Sequence, residues 1–138
     1  MIARFGRIDK PAIHLGAACG QMISVCLTPD DCAADAAGQV HEVLSRIMAM
    51  LQARGADRAG LLMAQVWLAD IGDFPAFAAV WNAWIDPLHP PALSVIQGAA
   101  SRRDTLVEIR VWADMPTASG VAGTGANPAP DAQSVGAG

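Results

Sequence analysis

At 138 residues the chain has the length of one domain, so a single core is expected. Hydrophobic residues make up 53% of it and charged residues only 16%, an apolar excess that points to a buried contact between subunits. Nine Lys and Arg against thirteen Asp and Glu leave a net charge of −4, which argues against the clustered basic surface that nucleic acid requires.

The first elements are short. Apolar runs at 2–5, 12–15 and 22–27, punctuated by Gly6, Pro11, Gly16 and Gly20, read as strands joined by turns. Next comes Thr28-Pro29-Asp30-Asp31, a turn in which Asp30 or Asp31 is available to cap a helix. The helix is expected to run to about Arg54, with Gly55 as its stop. Ala37, Val40, Val43, Leu44, Ile47, Met48 and Leu51 recur at the spacing of one apolar face, with Glu42, Arg46 and Gln52 turned to water.

The run 61–68, LLMAQVWL, is nearly all apolar and reads as a central strand buried on both faces. Asp73 is placed to cap a second helix whose Pro75 falls in the first turn, where a missing amide hydrogen is harmless. Its buried face is Phe77, Val80, Trp81, Trp84 and Ile85, and Asp86-Pro87 ends it. The runs 93–96 and 106–113 then read as an antiparallel pair, giving the order βββαβαββ. Two helices cover one face of a mixed five- to six-stranded sheet, so the other face needs a partner. From 115 to 138 the chain turns to Gly, Ala, Ser, Thr and Pro without apolar periodicity, which predicts an ordered domain over 1–114 and a disordered tail.

Several classes are set aside. The longest apolar windows are broken well before the roughly 18 to 20 residues of a membrane helix, and the N-terminal stretch lacks a signal peptide's apolar core, so a cytoplasmic protein is expected. Cys19, Cys26 and Cys32 are odd in number and widely spaced, and His14, His41 and His89 form no ligand pair, so neither a metal site nor a cofactor is expected.

Chemistry concentrates near the end. Alternation over 106–112 puts Val107, Ile109 and Val111 on one face and Leu106, Glu108, Arg110 and Trp112 on the other. Glu108 is then either half of an ordinary pair on a wet strand face or a carboxylate aimed into a cleft. The order of Leu68, Ala69, Asp70, Asp73, Phe74, Pro91, Ala92, Val107, Glu108 and Ile109 resembles the reactive intermediate deaminase (Rid, YjgF-like) family, with the likeness extending over about 34–113.

The resemblance implies a chorismate-mutase-like α+β fold and a homotrimer with small-molecule clefts between subunits. It also implies an imine- or enamine-hydrolysing activity, in which an arginine holds the substrate carboxylate and a glutamate holds water. Glu108 occupies the glutamate's position, whereas Leu93 stands where the family has its arginine. Arg102, Arg103 and Arg110 are the cations left to replace it. Counting back from 34–39, the family's Ala-Gly-Gln falls on Val25, Cys26 and Leu27; a shifted loop would place it on Cys19, Gly20 and Gln21 instead. Cleft-lining residues on this reading are Leu93, Cys26, Leu27 and Trp112. Two functions stay open: a deaminase-like hydrolase using Glu108, or a non-catalytic ligand-binding or regulatory homotrimer with an apolar cleft.

Overall fold

The computed structural model describes residues 1–116; the tail expected over 115–138 lies, from 117 onward, outside the described residues. Six strands, β1 (Ile2–Asp9), β2 (Ala12–Cys19), β3 (Met22–Leu27), β4 (Leu61–Leu68), β5 (Ala92–Gln97) and β6 (Val107–Asp114), form one sheet ordered β1-β2-β3-β6-β4-β5. Helices α1 (Ala36–Gln52) and α2 (Phe74–Trp84) complete an α+β domain with the expected element order.

Pairing departs from expectation at the end of the chain. β6 does not form a hairpin with β5; it inserts between β3 and β4, antiparallel to both, and β5 lies parallel to β4 at the sheet edge. The reason lies in the connections. A parallel neighbour needs a crossover, and α2 supplies it between β4 and β5. The β6 slot between β3 and β4 then satisfies two ladders at once.

Both helices cover one face. Val40, Val43, Leu44, Ile47 and Leu51 of α1 and Phe77 and Trp81 of α2 are buried with Ile23, Val25, Leu27, Ala64, Val66, Leu68, Val107, Ile109 and Val111 of the sheet. The Phe77 and Trp81 rings stack at 5.7 Å. β4 is therefore buried on one face only. Its other face carries Met63, Gln65 and Trp67 outward, and Leu62 is likewise exposed.

Helix ends also differ from the reading. Asp35, not Asp30 or Asp31, caps α1, its Oδ1 accepting from the Gly38 amide at 2.9 Å. The amides of Asp30 and Asp31 donate to Glu42, which folds the preceding loop onto the helix. Helix α1 ends at Gln52, and Gly55 takes a positive φ of 83° as the Ala56 amide reaches back to the Leu51 carbonyl. Asp73 starts α2 without a side-chain bond, while Asp70 caps the turn before it.

β1 and β2 are longer than expected because Gly6 and Gly16 lie within strands. At Gly6 φ is +72° and a Cβ would meet Leu15 at 2.9 Å; at Gly16 a Cβ would collide with the Phe5 ring. Both glycines make room for large side chains crossing between strands.

Candidate functional site

β3 and β6 run side by side with Cys26 opposite Arg110 and Ser24 opposite Trp112. On the other flank of β6, Met63, Gln65 and Trp67 of β4 stand opposite Trp112, Arg110 and Glu108. Partners across a ladder project to the same side, so all eight side chains occupy the face without helices. The alternation that buries Val107, Ile109 and Val111 delivers Glu108, Arg110 and Trp112 there.

Glu108 is half-buried and engaged. The Cys26 thiol donates to its Oε2 over 3.2 Å. Burial, and after it the carboxylate through that bond and its charge, pushes the thiol up from 9.0 to about 11, with Arg110 pulling the other way. Cys26 is thus a donor fixed to Glu108, and it is no nucleophile at neutral pH. The Arg110 guanidinium carbon lies 5.8 Å from the centre of the Trp112 ring, which steadies it over the sheet.

A hollow of about 320 Å³ opens beside the pair, bordered by His14, Cys26, Thr28, Ser101, Glu108 and Arg110. A roomier one of about 420 Å³ lies between α1 and α2, but no carboxylate lines it and its Arg58 already donates to the Trp84 carbonyl at 2.6 Å. Of these two hollows, only the one at Glu108 has both an acid and a cation.

Glu108, Cys26 and Trp112 therefore share one face. Leu27 also borders the Glu108 hollow, but it pairs with buried Ile109 and is itself only 2% exposed. Leu93 pairs with Ala64, and so lies on the helix side at the sheet edge, 39% exposed, whereas Glu108 pairs with Trp67 on the opposite side. Within one chain these two do not meet. Gly20 and Gln21 form the β2–β3 turn at the end of the sheet, and it is Cys26 that stands beside Glu108. Missed from sequence were Arg4, His14 and Ser24, which border a second hollow that also includes Cys26 and Arg110. No local motif marks them; strand register alone brings them together.

The thiol gives a direct check. A pKa near 11 leaves on the order of one Cys26 in a thousand ionised at pH 8, against about one in ten for an unperturbed thiol. Iodoacetamide at that pH is expected to label exposed Cys19 first and Cys26 about a hundredfold more slowly than an unperturbed cysteine, read by peptide mass spectrometry. Glu108→Gln removes the charge and should speed Cys26 labelling. Rapid labelling of wild-type Cys26 would refute the thiol–carboxylate bond.

These features define a class: an α+β domain with two helices on one face of a mixed sheet and its acid, thiol and guanidinium on the other. The chain belongs to the Rid/YjgF-like family, for the family model described as endoribonuclease L-PSP matches residues 19–115. It is 33% identical over 85 residues to the RutC family protein YoaB of Escherichia coli K12, a match covering 62% of this chain and 75% of that one. A RutC family protein of Haemophilus ducreyi is 31% identical over 109 residues, covering 78% and 88%. NMB1025 of Neisseria meningitidis, a YjgF family member of known structure, superposes with a TM-score of 0.77 at 27% identity, covering 86% of this chain and 98% of that one. No helix among the described residues is long and apolar enough to cross a membrane.

Proposed function

We propose that the protein hydrolyses a small imine or enamine, with Glu108 holding and polarising the attacking water. The observation that carries this is the half-buried Glu108 at the edge of a hollow, fixed by the Cys26 thiol on one oxygen. Its other oxygen is the one left to orient water. In the reaction water's oxygen adds to the imine carbon as Glu108 accepts its proton. That proton passes to nitrogen to give a carbinolamine, whose hydroxyl then gives up its own proton to the nitrogen as ammonia leaves and the carbonyl forms; an enamine first takes a proton at carbon to become the imine. No step requires a metal or an organic cofactor.

A second reading is supported by the same bond. If the thiol keeps the carboxylate from water, the chain is a ligand-binding or regulatory protein without turnover. Ammonia release from freshly generated 2-aminoacrylate separates the two: release above the uncatalysed rate supports the hydrolase, and its absence with retained 2-oxo acid binding supports the binder. Ribonuclease action, which the family description names, finds little support in a chain of net charge −4.

The working unit on this proposal is a homotrimer in the cytoplasm. Leu62, Met63 and Ile96 are exposed on or beside the helix-free face, which another subunit would cover. The three free cysteines fit a reducing compartment. Light scattering at micromolar concentration is expected to return three times the chain mass, and a clean monomer would overturn the assembly.

A further inference from the structure

Beside the Glu108 hollow lies a second concavity bordered by two arginines, Arg4 and Arg110. Arg4 pairs with Ala17, Ala17 with Ser24 and Ser24 with Trp112, one row running across β1, β2, β3 and β6. Cys26 and Arg110 form the next row. Between the rows lies a hollow of about 280 Å³, floored by the small residues Gly16, Ala17 and Ser24 and walled by Arg4, His14 and Arg110. It shares His14, Leu15, Cys26 and Arg110 with the hollow that contains Glu108.

Four of the other six arginines are bonded elsewhere, and Arg54 lies over the Phe5 ring. Arg7 pairs with Asp9, Arg46 with Asp30 and Glu42, Arg58 bonds the Trp84 carbonyl, and Arg102 bonds Thr28 and the Pro29 carbonyl. Among the described residues neither Arg4 nor Arg110 has a carboxylate within 4 Å, although the chain carries more acids than bases. Two unpaired guanidinium groups bordering one concavity repel each other until an anion sits between them. Their strands are three spacings apart, about 14 Å, a span that two extended arginine side chains can close from either side.

We infer that Arg4 and Arg110, with the Ser24 hydroxyl between their strands, bind the carboxylate of a small 2-oxo or 2-imino acid whose second carbon faces Glu108. This rests on the hydrolase reading for its substrate class. Arg110 and Glu108 alternate on one strand face, about 6.5 to 7 Å apart along the chain. A carboxylate on Arg110 therefore places the carbon bonded to it, rather than one farther along the ligand, within a water's breadth of Glu108.

Calorimetric titration of 2-oxobutyrate into the full chain tests the handle, with neutral 2-butanone and inorganic phosphate as comparison ligands. Wild type should bind 2-oxobutyrate, 2-butanone should bind at least tenfold more weakly, and Arg4→Gln and Arg110→Gln should each weaken 2-oxobutyrate tenfold or more. Arg110→Lys keeps the charge but loses the planar fork, and should fall between. Glu108→Gln should bind at least as well as wild type, since it removes a like charge from the ligand's side. The handle is overturned if both glutamine variants, folded by circular dichroism, bind like wild type, or if wild type does not bind. Equal affinity for phosphate would overturn the carboxylate assignment. Ammonia assays on the same variants tell the two proposals apart. Full ammonia release by Arg4→Gln and Arg110→Gln sinks the handle alone; absent release from a wild type that binds 2-oxobutyrate through both arginines sinks the hydrolase alone.

Discussion

Glu108→Gln is expected to lower ammonia release from 2-aminoacrylate by about two to four orders of magnitude while leaving the fold and the oligomer intact. Glutamine has nearly the same shape, and its carbonyl oxygen can still accept from the Cys26 thiol, so the local geometry survives. It lacks the negative charge that receives water's proton. No second carboxylate borders that hollow, and the Cys26 thiol is held protonated up to about pH 11. An ordinary glutamate on a wet strand face would respond differently: its exchange for glutamine shifts stability by at most about 0.5 kcal/mol and does nothing else. Steady-state ammonia assays, with melting and light scattering on the same samples, distinguish the cases. Full activity in the glutamine variant would remove Glu108 from the chemistry.

Cys26→Ala complements it. That change frees Oε2, and if the thiol orients the carboxylate productively, turnover falls although the charge remains. A rise would show that the thiol restrains the site.

What could be read from sequence divides by range. The amphipathic period of α1, the alternation of β3 and β6 and the helix-start chemistry around Pro75 are local, and each is found where the pattern puts it. Strand pairing is not local. Nothing in residues 93–113 announces that β6 will leave its sequence neighbour and lie between β3 and β4, and this step carries Glu108 to Cys26. Gly6 and Gly16 read as breaks because a glycine that ends a strand and one that admits a crossing Leu15 or Phe5 look alike in one sequence. Leu93 was placed by resemblance, and the β4–β5 register puts it on the helix side of the sheet. Arg4 had no motif around it; three successive registers bring it to the hollow it shares with Arg110.

Gln39 supplies the largest expected loss of stability. It is the first polar residue in a helix whose apolar face begins beside it, and it is fully buried at 0% exposure. Its amide nitrogen donates to the carbonyls of Ala34 at 3.1 Å and Asp104 at 3.0 Å, and its oxygen accepts from the Leu106 amide at 2.8 Å. One side chain thus ties the start of α1 to the chain entering β6, two residues before Glu108. Gln39→Ala removes three bonds, leaves three backbone groups without a partner and opens a void, an expected loss of about 3 to 5 kcal/mol. Gln39→Glu should be no better: the carboxylate can accept from Leu106 but faces two carbonyl oxygens it cannot bond, and its charge is buried. Gln39→Leu fills the volume and still leaves the backbone groups unpaired, so most of the loss should remain. Urea unfolding at one fixed protein concentration measures all three, the concentration being held because assembly adds to apparent stability. A loss under about 1 kcal/mol in Gln39→Ala would show that the 104–106 segment finds other partners. In that case β6, and Glu108 with it, would be positioned by the β3 and β4 ladders alone.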